Sequence, residues 1–586
     1  MPQLIALTTT HQNWQNSYRY ANFLLNSGVS IMWATGPFQA VTPSRAEQPF
    51  ERGTFLITDK PSTIPAQEKF DVELVEIESV TGFAGLPLKT PRIAMYGGGG
   101  APFNHARIFA ELGFFVEFIS PQEIRQGRLS EFDVFGMPGG GGIAMKGQLD
   151  PLGDEGCQLI TDFVQQGGMY LGSCAGAFDA ALVSESFLAA CPMQRKMQLV
   201  NSAVWNRNDT EWVGLNSPGV GVLESRNLHP DHPVMFGMPE RFRITHYNGP
   251  FFESQPGTLS AASDSMGLSA VVGFTEDYTP SEYFLSFSEY DEATAQETSM
   301  IGKAAREGRY NIVSGYNGLG RVVLFGSHPE FGYNLAMDKW DSPARMLANA
   351  AFWQAGHVSE ARPLRRKVVP GIPHSYPLGN GLNGVAARLD VISSAVDDLR
   401  QQDVSNAAWL ADELAMSTFG LSGQEIWKQN LAAFDDITYE LKQTIDAARR
   451  AANEALSLIN TLQSTGIDSA VNQADALYDA LLSLEEAIHH RTPPEWNQDF
   501  GYEGVLQMLD RTEAMLRTAR DNFDTAFEPT ANPYEYFYAL PYQLVVGSYL
   551  AAVGVYANSW LLLQVHRCRL EDWLLKGQSM LEGSMS

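Results

Sequence analysis

The chain has 586 residues, of which 44% are hydrophobic and 18% charged, and its formal net charge at pH 7 is -27. This length exceeds that of a usual single domain and predicts several domains with sizeable cores. The negative charge argues against nucleic acid or an anionic membrane surface as the main partner, because both are bound by basic faces.

The four cysteines, at 157, 174, 191 and 568, form no Cys-x-x-Cys pair. Their spacing predicts neither a zinc knuckle nor a redox motif, and it favours a reducing compartment. The N-terminus has no basic stretch followed by a long apolar run, so we expect no signal peptide. We therefore expect a cytoplasmic protein, with no metal and no cofactor.

The first part of the chain has the pattern of a small α/β unit. Residues 18–26 predict a helix that ends before Gly28. Apolar runs predict strands at 29–34, 53–58 and 72–77. No catalytic combination of side chains is evident in this part.

A different pattern begins at Pro91, where strands alternate with helices and glycine-rich turns follow the strands. The predicted elements, in order, are a strand at 92–96, a helix at 103–112, strands at 114–119 and 133–137, a helix at 156–166 and strands at 169–173 and 320–325. This alternation is typical of a parallel, doubly wound sheet, whose working site lies beyond the carboxyl ends of the strands. Residues 200–320 show short strands and many turns, and a helix at about 342–355 closes the region.

The C-terminal part has a helical pattern. Amphipathic runs at 424–463, 468–489 and 503–527 predict an antiparallel bundle. Residues 544–565 carry no formal charge and are long enough to cross a bilayer. Their Ser, Tyr, Asn and Gln side chains favour the centre of a bundle or an oligomer interface over lipid. We expect a homo-oligomer formed through these helices and no membrane contact.

The stretch Met-Tyr-Leu-Gly-Ser-Cys-Ala-Gly-Ala-Phe at 169–178 runs from an apolar strand through a turn of small residues into a helix. Gly172 and Gly176 flank Cys174 at the -2 and +2 positions, which is the steric requirement of a nucleophile elbow. The N–H groups of the following helix point back at the sulfur and favour the thiolate. Cys174 is therefore the candidate nucleophile.

A nucleophilic thiol needs a general base within about 3 Å and a group that orients this base. The best candidates are His328 and Glu330, in the sequence Ser-His-Pro-Glu that follows the last strand. In an extended segment, side chains two residues apart point the same way, so Glu330 can hold the imidazole of His328. A lone histidine at a strand end is more often structural, but its combination with the elbow favours catalysis.

The oxyanion hole requires backbone N–H groups. We expect one from Ala175 and another from Gly139, Gly140 or Gly141, in the Pro-Gly-Gly-Gly-Gly run that follows the strand at 133–137. Three further residues either line the substrate pocket or form a turn before an aromatic strand; these are His246, Tyr247 and Asn248.

Residues 91–357 resemble the class I glutamine amidotransferase-like superfamily, and within it the domain called biotin-protein ligase N-terminal. The motifs that carry the resemblance are Pro-Gly-Gly, Gly-x-Cys-Ala-Gly-Ala-aromatic and Ser-His-Pro-Glu. The resemblance implies a flavodoxin-like α/β/α sandwich and a triad of Cys174, His328 and Glu330 that acts through an acyl-enzyme. The interval from Cys174 to His328 is longer than that family's pattern, so we expect an insertion that covers the site.

Class I amidotransferases hydrolyse glutamine and pass the ammonia to a synthetase. No synthetase or ATP-binding module is visible in this chain, so an ammonia acceptor would belong to a partner protein. No biotin ligase catalytic module is evident either, so biotin chemistry does not carry over. The predicted regions are the N-terminal α/β unit at 1–90, the amidotransferase-like domain at 91–358, a linker at 359–382 and an α-helical bundle at 383–586.

These features favour a cysteine-dependent amidase or glutamine amidotransferase-like hydrolase that acts on a small amide. The elbow is also close to the Gly-x-Ser-Ala-Gly-Ala motif of serine dipeptidases of related fold, so one alternative is a peptidase-like cysteine hydrolase acting on peptides. A second alternative is an inactive scaffold whose helical bundle drives assembly.

Overall fold

The structure is a computed structural model of the chain. It describes residues 4–7, 13–44, 47–58, 69–140, 146–183, 185–200, 202–204, 220–247, 249–254, 269–279, 310–331, 343–357, 380–402, 423–490, 503–523 and 540–585. The described residues form a mixed α/β region and a helical C-terminal region.

The N-terminal part contains two antiparallel sheets and one helix, α1 (Trp14–Asn26). Its strands are β1 (Leu4–Leu7), β2 (Ile31–Ala34), β3 (Phe38–Val41), β4 (Glu47–Phe50), β5 (Phe55–Ile57), β6 (Leu74–Ile77), β7 (Ser79–Thr81) and β8 (Gly85–Pro87). The strand orders are β6-β1-β5-β2-β8 and β4-β3-β7. The strands predicted in this part are present as β2, β5 and β6, and the predicted helix lies within α1.

Eleven described strands form one mixed sheet in the central part. They are β9 (Arg92–Tyr96), β10 (Phe115–Ile119), β11 (Val134–Met137), β12 (Met169–Ser173), β13 (Ser202–Val204), β14 (Val220–Asn227), β15 (Arg241–Tyr247), β16 (Phe252–Ser254), β17 (Ser269–Thr279), β18 (Tyr310–Asn317) and β19 (Gly320–Phe325). The main order is β10-β9-β11-β12-β19-β18-β17-β14-β15, while β13 pairs with β16 and β16 also pairs with β18.

Helices lie on both faces of the parallel half of this sheet. They are α2 (Phe103–Glu111), α3 (Pro121–Arg125), α4 (Lys146–Gln165), α5 (Ala175–Ala180), α6 (Glu185–Ala190) and α7 (Ala344–Ala355). Short 3₁₀ helices occupy Arg128–Glu131, Pro192–Lys196 and Pro233–Met235. Successive side chains of a strand point to opposite faces, so Met95 packs in the same cluster as Phe352 of α7 and Tyr96 packs in that of Leu149 of α4.

The predicted parallel arrangement holds for β10, β9, β11, β12 and β19 only. The chain turns back between β18 and β19 through Gly318 and Leu319, and Gly318 has a φ of 59°. A connection this short can join only antiparallel strands. The residues between the elbow and β19 therefore extend the sheet with antiparallel strands, which the irregular pattern of that stretch does not predict.

The C-terminal region consists of long helices. They are α8 (Asn380–Arg400), α9 (Gly423–Ser464), α10 (Asp468–His489), α11 (Val505–Asp521) and α12 (Leu540–Met585). The predicted runs at 424–463, 468–489 and 503–527 correspond to α9, α10 and α11, except that residues 524–527 lie outside the described residues. The helix α8 begins before the predicted start of the bundle at 383, and residues 358–379 lie outside the described residues. The last helix, α12, packs against α9, α10 and α11 and also against α2.

The uncharged stretch at 544–565 lies within α12, and among the described helices none is long and apolar enough to cross a membrane. Two of its side chains with polar groups, those of Tyr556 and Trp560, pair with α9 of the same chain. The Tyr556 hydroxyl lies 2.7 Å from Thr438 Oγ1, and Trp560 Nε1 donates to Thr444 Oγ1 at 3.2 Å. These polar groups are thus satisfied inside the bundle, as buried groups must be.

The helix α2 is held between the sheet and α12. The guanidinium of Arg107 lies 4.7 Å from the ring centroid of Trp560, and Gln564 Nε2 donates to Glu111 Oε1 at 3.1 Å. Buried side chains of α2, α7 and α12 belong to one continuous apolar cluster. The position of α2 on the sheet therefore depends on the bundle as well as on the strands beneath it.

A buried asparagine joins the N-terminal part to α7. Asn349 Nδ2 donates to the carbonyl oxygens of Val234 and Phe236, both at 2.9 Å, and Oδ1 accepts from the Tyr18 hydroxyl at 2.5 Å. Asn349→Ala leaves these buried groups without their partner, and we expect the free energy of unfolding to fall by about 2 to 4 kcal/mol. Urea denaturation followed by circular dichroism measures this change.

The matched control is Asn16→Ala, because Asn16 is an exposed residue of α1 whose side chain makes one long contact, 3.5 Å, to the carbonyl of Asp71. We expect this variant to stay within about 0.5 kcal/mol of the wild type. Equal losses in the two variants would contradict a junction that depends on Asn349.

Candidate functional site

The turn between β12 and α5 places Cys174 in a strained backbone conformation. Its φ is 51° and its ψ is -112°, values that a non-glycine residue rarely adopts. A Cβ on Gly172 would lie 2.5 Å from the carbonyl oxygen of Gly176, and a Cβ on Gly176 would lie 2.3 Å from that of Met137. The turn thus has no room for larger residues at these two positions, which is the geometry that the glycine spacing predicts.

Strand order brings the segment that contains His328 to this turn. β12 and β19 are parallel neighbours, with Ser173 opposite Phe325, and Cys174 N donates to the Phe325 carbonyl at 2.8 Å. The chain beyond β19 therefore leaves the sheet beside the elbow. The N–H of His328 donates to the Thr245 carbonyl at 2.7 Å, which anchors this segment to β15.

The side chains of Cys174, His328 and Glu330 lie together at this edge. His328 Nδ1 is 2.6 Å from Glu330 Oε1, and the imidazole is also hydrogen-bonded to the Cys174 side chain. Since Nδ1 is engaged by the carboxylate, Nε2 is the nitrogen that remains for the sulfur. The ring of Phe331 stacks on the imidazole at 4.5 Å between centroids. The imidazole is therefore held on three sides.

Charge determines the protonation of this pair. Burial alone would lower the pKa of His328, but the carboxylate of Glu330 and then Cys174 raise it to about 10. Burial alone would raise the pKa of Glu330, but the imidazoles of His105 and His328 outweigh the effect of burial and lower this pKa. Near neutral pH the site therefore holds an imidazolium beside a carboxylate.

The glycine-rich run after β11 forms one wall of the site. A Cβ on Gly139 would lie 2.8 Å from His328 Cε1 and 3.0 Å from Cys174 Cβ. Gly140 has a φ of 80°, which favours glycine, and Gly141 lies outside the described residues. Ala175 is the first residue of α5, so its N–H has no acceptor four residues earlier within the helix.

His246 is fully buried and lies beneath the segment that carries His328. Its Nδ1 is 3.1 Å from Ser327 Oγ, and its ring stacks on Phe251 at 4.6 Å. Burial, followed by the charge of His328, lowers its pKa to about 3, so it is neutral at physiological pH. Tyr247 ends β15, its side chain is not among those described, and Asn248 lies outside the described residues.

The described part of the predicted insertion borders the site at Gly249. A Cβ there would lie 1.8 Å from the carbonyl oxygen of Gly326 and 3.3 Å from Cys174 Cα. The sequence signals a turn at this point through Asn-Gly-Pro but not its contact with the elbow. The contact arises because β15 pairs with the segment that follows β19.

Two buried titratable residues near the site have no signal in the sequence motifs. His105 of α2 has Nε2 2.8 Å from Ser173 Oγ and 3.4 Å from Glu330 Oε2. Asp179 of α5 is fully buried, and within the described residues neither of its carboxylate oxygens has a hydrogen-bond partner. A carboxyl five residues after the elbow, in an otherwise apolar helix, is the one clue that the sequence offered for Asp179.

We expect the buried carboxyl group of Asp179 to make the free energy of unfolding depend on pH. Burial, followed by the charge of Cys174, raises the pKa of Asp179 well above 3.8. Unfolding lets this carboxyl ionise above about pH 4, so the wild type loses stability as pH rises until Asp179 ionises in the folded state. We expect Asp179→Asn to gain stability relative to the wild type between pH 5 and 8, by up to about 1.4 kcal/mol per pH unit.

Urea denaturation at pH 5, 6, 7 and 8 measures this difference. The control is Asp150→Asn, because Asp150 of α4 is exposed and should leave the pH dependence as in the wild type. Parallel pH profiles of the wild type and Asp179→Asn would show that Asp179 is ionised in the folded protein.

Among the described residues, no group of three or more His, Cys, Asp or Glu side chains is arranged to hold a metal ion. The prediction of no metal and no cofactor remains a prediction.

Comparison with known proteins finds a family similarity for part of the chain. Residues 92–187 match the family described as "Biotin-protein ligase, N terminal". The match runs from β9 into α6 and includes Cys174, whereas His328 and Glu330 lie beyond it. No curated protein sequence matches this chain.

Solved structures with weak similarity to this chain include the following two. One is a putative ThuA-like protein from Bacteroides uniformis, with 12% identity and a TM-score of 0.28 over 45% of this chain and 90% of the other. The other is PurLQS from Thermotoga maritima, with 14% identity and a TM-score of 0.28 over 45% of this chain and 97% of the other.

Proposed function

We propose that this chain is a cysteine-dependent amidase, similar to the glutamine-hydrolysing part of class I amidotransferases, that acts on a small amide. The observation that carries the proposal is the position of His328, hydrogen-bonded on one side to Cys174 and on the other to Glu330 at 2.6 Å. A thiol, an imidazole and a carboxylate in this order are the groups that acyl transfer needs.

The reaction would proceed in two halves. Cys174 Sγ attacks the amide carbonyl carbon, and N–H groups of Ala175 and of the run at Gly139, Gly140 and Gly141 stabilise the oxyanion. His328 then gives its proton to the leaving nitrogen, so ammonia departs and a thioester forms. A water molecule gives a proton to His328 and attacks the thioester, and the acid leaves, which regenerates the Cys174 thiolate and the protonated imidazole of His328.

Thiol labelling tests the nucleophile. Burial raises the pKa of Cys157 and raises that of Cys568 to about 12, while Cys191 is 1% exposed and Cys174 is 8% exposed. Iodoacetamide at pH 7 without denaturant should therefore alkylate Cys174 first, as measured by peptide mass spectrometry. Labelling of another cysteine at an equal rate would contradict the proposal.

A hydrolysis screen tests the reaction. Glutamine, other small primary amides and short peptides are incubated with wild type and Cys174→Ala, and ammonia and new amino groups are assayed. Ammonia release by the wild type alone supports the amidase. Release of amino acids from peptides without ammonia supports the peptidase alternative, and no release together with an unreactive Cys174 supports the scaffold alternative.

The remaining expectations are part of the same proposal. The ammonia acceptor would be a partner protein, the location cytoplasmic, and the assembly a homo-oligomer formed through the C-terminal helices. Sedimentation of the full chain tests the assembly, since a monomer has a mass of 64.5 kDa and a single species of that mass contradicts the oligomer.

A further inference from the structure

The carboxylate of Glu330 faces two histidines rather than one. Oε1 lies 2.6 Å from His328 Nδ1, and Oε2 lies 3.4 Å from His105 Nε2. His105 belongs to α2, and its Nε2 is also 2.8 Å from the hydroxyl oxygen of Ser173, the residue before the nucleophile. The His105 and Ser173 side chains are fully buried, and 3% of Glu330 is exposed.

These distances assign the tautomer of His105. If the proton were on Nδ1, the Nε2 lone pair would face a carboxylate oxygen at 3.4 Å, which is repulsive. With the proton on Nε2, the N–H is hydrogen-bonded to Ser173 Oγ and its positive end also lies near Glu330 Oε2, which has no hydrogen-bond partner among the described residues. Nδ1 is buried without a hydrogen-bond partner among the described residues, so a second proton there would have no acceptor.

His105 is therefore a neutral donor at physiological pH. Burial lowers its pKa, Glu330 opposes this effect and His328 adds to it. Glu330 and His328 are the charged groups that face it. Arg107 and Glu111 of the same helix face α12 instead, where Trp560 and Gln564 contact them.

We propose that His105 is a positioning residue whose Nε2–H attracts the second oxygen of Glu330, so that the first oxygen stays directed at His328 Nδ1. This inference rests on the proposed function, because it assigns His105 a role in the same site. A carboxylate held at one oxygen can rotate about its last torsion, and a donor group 3.4 Å from the other oxygen opposes this rotation by electrostatic attraction in a buried site. Because α12 packs on the other face of α2, the bundle stabilises the helix that supplies this contact.

Variants of His105 test this role. His105→Leu and His105→Asn remove a donor at the position of Nε2, since Asn is too short to reach it, whereas His105→Gln places an amide N–H close to that position. The control is Arg107→Met, which alters the opposite face of α2. Melting temperatures establish that each variant folds, and His105→Asn replaces His105→Leu if the latter does not.

Two measurements are made on each variant. The first is the second-order rate constant for alkylation of Cys174 by iodoacetamide from pH 5 to 10. The second is kcat and KM for the amide found in the screen. We expect the Leu and Asn variants to lose about 10- to 100-fold in alkylation rate at pH 7 and in kcat, with KM unchanged, which is the size of effect that follows removal of a group that orients an active-site side chain. His105→Gln should restore both rates, and Arg107→Met should resemble the wild type.

Ser173→Ala separates the contact of His105 with Ser173 from its contact with Glu330. If His105 acts through Glu330, Ser173→Ala keeps the rates of the wild type. If Ser173→Ala instead loses as much activity as His105→Leu, the proposed action of His105 through Glu330 is wrong. Wild-type rates in His105→Leu and His105→Asn, or no recovery in His105→Gln, also overturn the inference. An unreactive Cys174 in the wild type would instead contradict the proposed function itself.

Discussion

Replacing Glu330 by glutamine is expected to lower kcat/KM for amide hydrolysis by about 10³- to 10⁴-fold, the loss that follows neutralisation of the carboxylate in such triads. The reason is the charge that Glu330 supplies to a buried ring. Without the charge of Glu330, the effect of burial dominates and the pKa of His328 falls from about 10. The imidazole then loses its proton near neutral pH, and the glutamine amide can also turn its NH₂ group towards Nδ1.

The same change alters the pH dependence of stability. His328 has a raised pKa in the folded state, so its contribution is complete below about pH 6.5 and is lost as pH rises through about 10. Glu330 has a lowered pKa, so its contribution is present above about pH 4.5 and is lost as pH falls through the folded value. We expect the wild type to exceed Glu330→Gln in stability most clearly between about pH 4.5 and 6.5.

The control for both measurements is Glu503→Gln, which neutralises a carboxylate of similar burial in the bundle, 3.3 Å from Arg511. This variant should change the urea midpoint and leave the hydrolysis rate as in the wild type. A Glu330→Gln enzyme with wild-type kcat/KM and an unchanged alkylation profile of Cys174 would mean that the carboxylate plays no part in the reaction.

The parallel half of the sheet could be predicted because its apolar runs end in glycines. Residues 92–96 and 169–173 each lead into small residues, and a buried strand followed by a glycine-rich turn is a strong local pattern. The antiparallel strands between residues 202 and 317 lack such a pattern. Their pairing depends on contacts far apart in the chain, as between β14 and β17, and no local spacing encodes those contacts.

The residues of the elbow are close together in the sequence, as are His328 and Glu330. The geometry of each group could therefore be predicted from its residue spacing. His105 is different, because it lies 68 positions before Ser173 and meets it only when α2 crosses the sheet. A lone histidine on an amphipathic helix is more often a structural residue, so the sequence offered no reason to select it. The contact between Gly249 and Cys174 likewise follows from the tertiary pairing of Thr245 with His328.

Gly139→Ala is expected to lower kcat/KM by at least about 10²-fold, since a misplacement of about 1 Å in an active site has effects of this size. The added Cβ would lie 2.8 Å from His328 Cε1 and 3.0 Å from Cys174 Cβ. The imidazole cannot retreat easily, because Glu330 holds Nδ1 at 2.6 Å and Phe331 stacks on the ring. The methyl group must therefore push apart the two side chains whose contact the reaction requires.

Steric crowding is separable here from backbone strain, because Gly139 does not have the positive φ of Gly140. Alanine at 139 retains the backbone N–H, so a loss of activity reports on the position of His328 and Cys174 rather than on a missing donor. The control is Gly36→Ala, where an added Cβ has no atom within 4 Å and the φ is ordinary. We expect slower alkylation of Cys174 in Gly139→Ala alone, with a stability cost of about 1 to 3 kcal/mol from overpacking. Wild-type alkylation and hydrolysis rates in a folded Gly139→Ala protein would contradict the close approach of this wall to the thiol and imidazole.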